Sequence, residues 1–141
     1  MDTADAYTFL LERGIKPSQQ RIALLEYLVK YPVHPTADEL YSRLSPTMPT
    51  LSKTTVYNTL RLFVEKGAAQ MLTIDGRQAC FDGDVRPHAH FFCKRCGRIF
   101  DLPLPEDMGA GRFPPGPERC CVEEVQLYYR GVCADCLERE A

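Results

Sequence analysis

The chain has 141 residues, 45% of them hydrophobic, and a formal net charge of −2. This length allows one domain or two small ones, and the apolar fraction is ordinary for a globular protein. No stretch approaches the roughly 18 consecutive apolar residues of a membrane helix. The acidic start, MDTADAY, lacks the basic and apolar parts of a secretion signal. We therefore expect a cytoplasmic protein with no membrane partner.

Net charge does not indicate a nucleic-acid partner. Residues 1–80 contain 9 Lys/Arg against 8 Asp/Glu, a net charge of +1, and residues 81–141 contain 8 against 11, a net charge of −3. Because neither half is strongly basic, any DNA binding must come from local placement of charge.

The first half has the pattern of several helices. A short helix, DAYTFLLERG, is predicted to end at Gly14, a typical helix-ending residue. Another is indicated by apolar residues at helical spacing, Ile22, Leu25, Leu28 and Val29. Thr36 and Glu39 form a capping-box pattern for a helix that buries Leu40 and Leu44 and ends before Pro46.

The segment LSKTTVYNTLRLFVEKG predicts a two-faced helix that begins after Ser52 and ends at Gly67. Apolar residues occupy one arc of about 100°, namely Val56, Leu60, Phe63 and Val64. The opposite face carries no acidic residue and suits base edges and phosphates, although a polar face is also common on a merely solvated helix. The candidate DNA-binding residues are Ser52, Lys53, Thr54, Thr55, Tyr57, Asn58 and Arg61.

The next segment, AQMLTIDGRQACF, predicts a β-hairpin with a two-residue turn at Asp75-Gly76. Helices followed by a hairpin are the order of a winged helix-turn-helix, in which one helix enters the DNA major groove and the hairpin is the wing.

After Cys80 the chain changes character, with a boundary near residues 82–87. ACFDGDVRPHAHFFCKRCGRIFDLPL and EEVQLYYRGVC have strand-like patterns, whereas EDMGAGRFPPGPERCC is too rich in Gly and Pro to predict a helix. We expect an α+β protein whose second half, at roughly 55 residues, needs a structural metal to supplement a small core.

HAHFFCKRCG, residues 88–97, raises the question whether its histidines and cysteines share one ion. In an extended strand, His88 and His90 point to one side and Cys93 to the other. Thiolates select zinc or iron–sulfur, whereas imidazole with carboxylate suits Fe(II) or Mn(II). Two separate sites are therefore predicted.

The two C-x-x-C pairs, Cys93/Cys96 and Cys133/Cys136, offer the four thiolates of a structural zinc site. The alternative is a redox C-x-x-C of thioredoxin type, in a thiol–disulfide or metal-handling protein. Such a motif normally occurs near a βαβ unit, and the sequence does not show one. An odd total of seven cysteines argues against a disulfide framework.

The second site would use histidines, of which the chain has three. Asp82 and Asp84 precede His88 and His90 along the sequence, Asp101 follows them, and His34 lies in the DNA-binding half. If His34 joins the others, one ion joins both halves; spacing alone leaves this open.

These motifs resemble the ferric uptake regulator family of metal-dependent bacterial repressors. The similarity runs through GIKPSQQRIALLEYL, HPTADELY, TVYNTLRLFVEKG, HAHFFCKRCGRIFDL and GVCADC, in the family's order and spacing. It implies a homodimer that binds double-stranded DNA at an AT-rich inverted repeat. It also implies a winged-helix DNA-binding domain at residues 1–82, a hinge at 83–87, and a dimerisation and metal-binding domain at 88–141.

The resemblance further implies roles for particular residues. The structural Zn(II) ligands would be Cys93, Cys96, Cys133 and Cys136. The regulatory Fe(II) or Mn(II) ligands would be His34, Asp82, His88, His90 and Asp101.

An aspartate at position 101 resembles the peroxide-sensing branch, in which bound ferrous iron reacts with hydrogen peroxide and a ligating histidine is oxidised. His34 and His88 would be the oxidation-sensitive residues, and no catalytic residue is expected. The rivals are an iron-responsive regulator without histidine oxidation and a zinc-stabilised protein-interaction module that binds no DNA.

Two departures from the family pattern matter. No histidine lies near CCVEEVQLYY, so we expect no third metal site, and GAGRFPPGPERCC replaces a segment that is usually helical. Cys120 and Cys121 are either inert or a thiol sensor of their own.

Overall fold

A computed structural model describes residues 1–31, 33–104 and 115–140 as a mixture of helices and antiparallel and parallel strands. The chain divides into two compact units, an N-terminal unit, Met1–Val85, and a C-terminal unit, Arg86–Ala141. Among the described residues, no helix is long and apolar enough to cross a membrane.

The N-terminal unit begins with four helices, and side-chain caps fix where each of them starts. They are α1 (Thr3–Glu12), α2 (Gln19–Lys30), α3 (Ala37–Leu44) and α4 (Lys53–Glu65). Thr36 accepts a hydrogen bond from the Glu39 N–H, and Ser52 accepts one from the Thr55 N–H, as the sequence predicts. A full capping box occurs at α1, between Asp2 and Asp5, where the sequence analysis did not expect one.

One apolar core holds these helices together. The arc of α4 predicted to be apolar is buried through Val56, Leu60 and Phe63, which are each 0% exposed. Gly67 ends α4 at a φ of 77°, a left-handed conformation that suits glycine. The polar face of α4 therefore points away from this core.

A β-hairpin completes the unit, but its turn differs from the two-residue turn expected at Asp75-Gly76. Strands β1 (Gln70–Leu72) and β2 (Cys80–Asp82) pair in antiparallel fashion, and Leu72 opposite Cys80 is the last pair. Residues 73–79 form a longer loop, in which Ile74 is fully buried. Within this loop the Gly76 N–H donates to the Thr73 carbonyl at 3.0 Å, so the tight turn has Ile74 and Asp75, not Asp75 and Gly76, at its centre.

Two backbone contacts hold the end of β2 against the rest of the unit. The Phe81 N–H donates to the Pro35 carbonyl at 2.9 Å, which joins β2 to the segment before α3. At Gly83, an added Cβ would lie 2.9 Å from the carbonyl carbon of Leu28 in α2, so only glycine fits without a shift.

The C-terminal unit is built on a three-stranded sheet. Its strands are β3 (His88–Cys93), β4 (Ile99–Pro103) and β5 (Tyr128–Gly131), in the order β4-β3-β5. β3 and β4 are antiparallel, with His90 opposite Asp101, whereas β3 and β5 are parallel. The sequence predicts a strand over EEVQLYYRGVC, residues 123–133, but only Tyr128–Gly131 form one.

A last helix, α5 (Ala134–Glu140), follows β5 and carries Cys136 in its first turn. The sequence analysis did not predict this helix. Residues 106–114 of the Gly- and Pro-rich segment lie outside the described residues, so the expectation of irregular structure stays a prediction there; residues 115–121 form neither helix nor strand.

We expect Gly83→Ala to lower the free energy of unfolding of the full chain by about 1–3 kcal/mol, the usual cost of forcing an extra carbon into a packed site. The α2 backbone cannot yield as a flexible side chain could, since the nearest atoms belong to the main chain of Leu28. Urea unfolding followed by circular dichroism measures the change. An unchanged midpoint would show that the close approach is absent in solution.

Candidate metal centres

The four cysteines of the two C-x-x-C pairs converge in the C-terminal unit. Their sulfur atoms all lie within 4.8 Å of one another. Cys93 Sγ is 3.8 Å from Cys136 Sγ. Cys96 Sγ is also 3.8 Å from Cys133 Sγ. Each close pair combines one cysteine from each motif, so the two motifs form one cluster rather than two dithiols.

This geometry fits a tetrahedral zinc ion. Four sulfurs at about 2.3 Å from zinc lie about 3.8 Å apart along each tetrahedral edge. The bonded sulfurs of a disulfide lie only about 2.05 Å apart. The cluster therefore has the dimensions of a Cys₄ metal site without a disulfide. A redox dithiol is not favoured, because its two sulfurs would come from one C-x-x-C motif, whereas the close pairs here join the two motifs.

Hydrogen bonds to sulfur lower the pKa of two of the four cysteines, Cys93 and Cys133. The backbone N–H groups of Cys96 and Cys133 donate to Cys93 Sγ at 3.5 and 3.3 Å, and such bonds lower the pKa of the Cys93 thiol to about 5. The Cys136 N–H and the Arg98 guanidinium lower the pKa of Cys133. The neighbouring Cys133 sulfur and burial raise the pKa of Cys136 to about 12. Without a cation the four thiols cannot all ionise, whereas zinc displaces the remaining protons.

A second set of donors lies on the other side of β3, still within the C-terminal unit. The Asp101 Oδ1 atom is 3.5 Å from His88 Nε2 and 3.2 Å from His90 Nε2. The register of β3 with β4 places Asp101 directly opposite His90. His90 is fully buried, and the side chain of His88 is 8% exposed. Two buried imidazoles thus face one carboxylate, that of Asp101, whose side chain is 38% exposed.

The ring of His88 is oriented by the backbone. Its Nδ1 lies 2.7 Å from the Arg86 carbonyl oxygen, and because that oxygen can only accept, Nδ1 donates. In the neutral ring, Nε2 then carries the lone pair and faces Asp101. This is the arrangement of a metal-ligating histidine, whose second nitrogen is fixed by a backbone carbonyl.

The N-terminal unit contains a third histidine–carboxylate pair. His34 Nε2 is 3.5 Å from Asp82 Oδ2, and both side chains are 2% exposed. The Asp84 N–H donates to Asp82 Oδ1 at 2.8 Å and so aims the other oxygen at His34. His34 has a φ of 54°, a left-handed conformation that is uncommon outside glycine. Its ring is thus held next to Asp82 at some cost in backbone strain.

Each predicted ligand therefore has a second ligand close to it within its own unit. The groups that orient them, the Arg86 carbonyl, the Asp84 N–H and the Pro35 carbonyl, were not foreseen. Backbone atoms carry no sequence signal of their own, so only the fold identifies them.

The predicted DNA-contacting residues lie together on α4. Ser52, Lys53, Thr54, Tyr57, Asn58 and Arg61 are exposed, and Thr55 is partly buried beneath the Ser52 cap. The neighbouring Thr59 is 6% exposed and belongs to the core side. The face thus presents hydroxyl, amide, phenol and guanidinium groups to solvent.

The other three cysteines are free thiols and belong to neither group of potential metal ligands. Burial is the main cause that raises the pKa of Cys80, to about 11, so this thiol stays protonated at neutral pH. Cys120 and Cys121 are exposed.

Comparison with known proteins gives consistent results. A sequence profile of the ferric uptake regulator family matches residues 12–109. The chain is 35% identical over 130 residues to the peroxide-responsive repressor PerR of Staphylococcus aureus, covering 92% of this chain and 88% of that protein.

Solved structures show the same relationship. The ferric uptake regulator of Helicobacter pylori superposes with a TM-score of 0.75 at 17% identity, over 100% of this chain and 97% of the other; at that identity the likeness concerns the fold alone. PerR of Streptococcus pyogenes, described for peroxide sensing and gene regulation, gives a TM-score of 0.53 at 27% identity, over 95% and 92% of the two chains.

We expect Cys136→Ser to abolish stoichiometric zinc and to unfold the C-terminal unit, because a structural zinc site contributes on the order of 10 kcal/mol to folding. Elemental analysis and hydrogen exchange over residues 86–140 of the full chain measure these effects. The matched control is Cys120→Ser/Cys121→Ser, which makes the same chemical change at two exposed thiols. The control should keep one zinc per chain; full zinc in Cys136→Ser would contradict the assignment.

Proposed function

Since the chain belongs to the ferric uptake regulator family, we propose that it is a metal-dependent, DNA-binding repressor that senses hydrogen peroxide. The family is one of transcriptional regulators and not of enzymes. The peroxide signal is supported by the 35% identity to a peroxide-responsive repressor over most of both chains.

The observation that carries this proposal is the approach of buried imidazole nitrogens to carboxylate oxygens at 3.2 to 3.5 Å; Asp82 is buried as well, whereas the Asp101 side chain is 38% exposed. An imidazole lone pair and a carboxylate repel each other unless a proton or a metal ion lies between them. Nitrogen and oxygen donors without thiolate suit Fe(II) or Mn(II). We take both pairings as parts of a regulatory metal site.

The proposed ligands are His34 and Asp82 from the N-terminal unit with His88, His90 and Asp101 from the C-terminal unit. One ion held by both sets would restrict the hinge at residues 83–87. Five protein ligands leave a position of an octahedral ion open to a small molecule such as hydrogen peroxide.

Ferrous iron, when bound, supplies the electron that reduces hydrogen peroxide and generates a strong oxidant next to the ligand rings. His34 and His88 are the proposed targets of oxidation. A ring that gains an oxygen atom no longer binds the metal ion well. His88 is a suitable target because the Arg86 carbonyl holds its ring in one orientation. With manganese the same ligands would keep their arrangement without comparable oxidation.

The N-terminal unit is the proposed DNA-binding domain. It would be a winged helix in which α4 enters the major groove and the β1–β2 hairpin is the wing. The exposed polar face of α4 supports this assignment, because its side chains suit base edges and phosphates. An AT-rich inverted repeat is the proposed operator, since a two-fold symmetric dimer reads two equivalent half-sites.

The C-terminal unit is the proposed dimerisation domain. β5 lies at an edge of its sheet, and exposed apolar side chains occur on β5 and just before it, at Val122, Val125 and Tyr129. Edges and apolar patches of this kind favour association with a second copy. A coupling of roughly 1–3 kcal/mol between metal and DNA sites would suffice for 5- to 150-fold regulation.

Peroxide treatment of the iron-loaded protein should add 16 Da to peptides that carry His34 or His88 and should release operator DNA. The manganese-loaded protein, given the same peroxide, is the control and should show neither change. Tandem mass spectrometry locates the oxygen, and fluorescence anisotropy follows DNA release. Intact histidines with retained repression would instead favour an iron-responsive regulator that does not use histidine oxidation.

Arg61→Ala should weaken operator binding by on the order of 10-fold or more, because one side chain that contacts bases or phosphates contributes about 1–3 kcal/mol. The charge-matched control is Arg139→Ala, which removes an exposed guanidinium from α5. Anisotropy titrations at fixed salt, with unfolding curves to verify the fold, make the comparison. Equal binding by both variants would remove α4 from the DNA interface.

A further inference from the structure

Arg98 connects the two halves of the sulfur cluster. Its Nε lies 3.4 Å from Cys96 Sγ, and its Nη2 lies 3.4 Å from Cys133 Sγ, so the guanidinium donates to one sulfur of each C-x-x-C pair. Nη2 also donates to Asp135 Oδ2 at 2.8 Å, which fixes the guanidinium from the α5 side. Three directed hydrogen bonds define its position.

One of the two cysteines that Arg98 contacts, Cys96, is the exposed member of the cluster. Cys93, Cys133 and Cys136 are at most 7% exposed, whereas Cys96 is exposed. Any dissolved oxidant therefore meets the cluster first on the side where the guanidinium lies.

A zinc ion with four thiolates has a formal charge of −2, and its sulfurs remain nucleophilic. A cationic N–H donor withdraws electron density from sulfur and partly offsets this charge. We propose that Arg98 is a positioning residue that protects the zinc-bound sulfurs from oxidation by hydrogen peroxide. The inference rests on the zinc site of the proposed function but not on histidine oxidation.

The reaction that Arg98 opposes can be written in two steps. A thiolate sulfur attacks peroxide; the O–O bond breaks, one oxygen joins the sulfur as a sulfenic acid, and hydroxide leaves. A second thiolate then attacks that sulfur, an S–S bond forms, and a second hydroxide leaves. The two sulfurs lose two electrons in all, peroxide gains them, and zinc is released. Both steps require an electron-rich sulfur, which is the property that a bound guanidinium reduces.

Arg95 provides a matched control. It lies between Cys93 and Cys96 in the sequence, but its guanidinium pairs with Glu140 rather than with sulfur. Arg98→Gln and Arg95→Gln thus remove the same charge three residues apart, and only the first removes donors to sulfur.

The test uses the full-length, iron-free zinc protein, so that no iron-driven chemistry contributes. Zinc release after addition of hydrogen peroxide is followed with a colorimetric chelator, and release in the chelator alone is measured in parallel. We expect Arg98→Gln to release zinc several-fold faster than the parent with peroxide and at the parental rate without it. Arg95→Gln should match the parent in both conditions.

Equal peroxide-driven rates for the two variants would overturn the proposal. An equal acceleration of Arg98→Gln with and without peroxide would also overturn it, because the residue would then act on zinc affinity. If Arg98→Gln cannot retain zinc, Asp135→Asn loosens the guanidinium without removing it, and an unchanged rate in that variant counts against the proposal. A parent without zinc would refute the zinc site itself, and intact histidines in the iron form would refute only peroxide sensing.

Discussion

Donor atoms that converge need protons or a metal ion among them, and this constraint governs both candidate centres. Four sulfurs within 4.8 Å of one another cannot all ionise alone. The Asp101 carboxylate close to His88 and His90 faces the same difficulty. Burial of the histidines and of three cysteines makes the unpaired state costly, so a structural metal at the sulfur cluster and, under the proposed function, a regulatory metal at the other centre would each relieve it.

Strand β3 keeps these two chemistries apart. His88 and His90 point from one face towards Asp101, whereas Cys93 points from the other into the sulfur cluster, where Phe91 packs as well. Alternation of side chains along a strand is enough to produce this separation. An oxidised histidine would therefore leave the zinc face of the sheet in place, which allows a sensor to lose its signal ion without losing its fold.

Local patterns made much of the fold predictable. The caps at Thr36 and Ser52, the apolar arc of α4 and the opposite directions of the histidines and Cys93 on β3 depend on neighbouring residues, and the structure confirms them. The turn at residues 73–79, helix α5 and the contacts of Arg98 depend on distant packing, which periodicity does not report. The zinc ligands were predicted from the two C-x-x-C pairs, whereas the full set of regulatory ligands was inferred from a family resemblance. The joint use of both regulatory ligand sets by one ion stays a prediction.

His34 offers the most direct test, because it is the histidine of the N-terminal unit. Asn is the suitable replacement, since it tolerates the left-handed backbone at this position and lacks the imidazole. For His34→Asn, the account predicts that Mn(II) affinity, measured by titration calorimetry on the zinc-loaded dimer, falls at least about 10-fold and that metal no longer promotes operator binding. Unchanged Mn(II) affinity together with metal-dependent operator binding would contradict it.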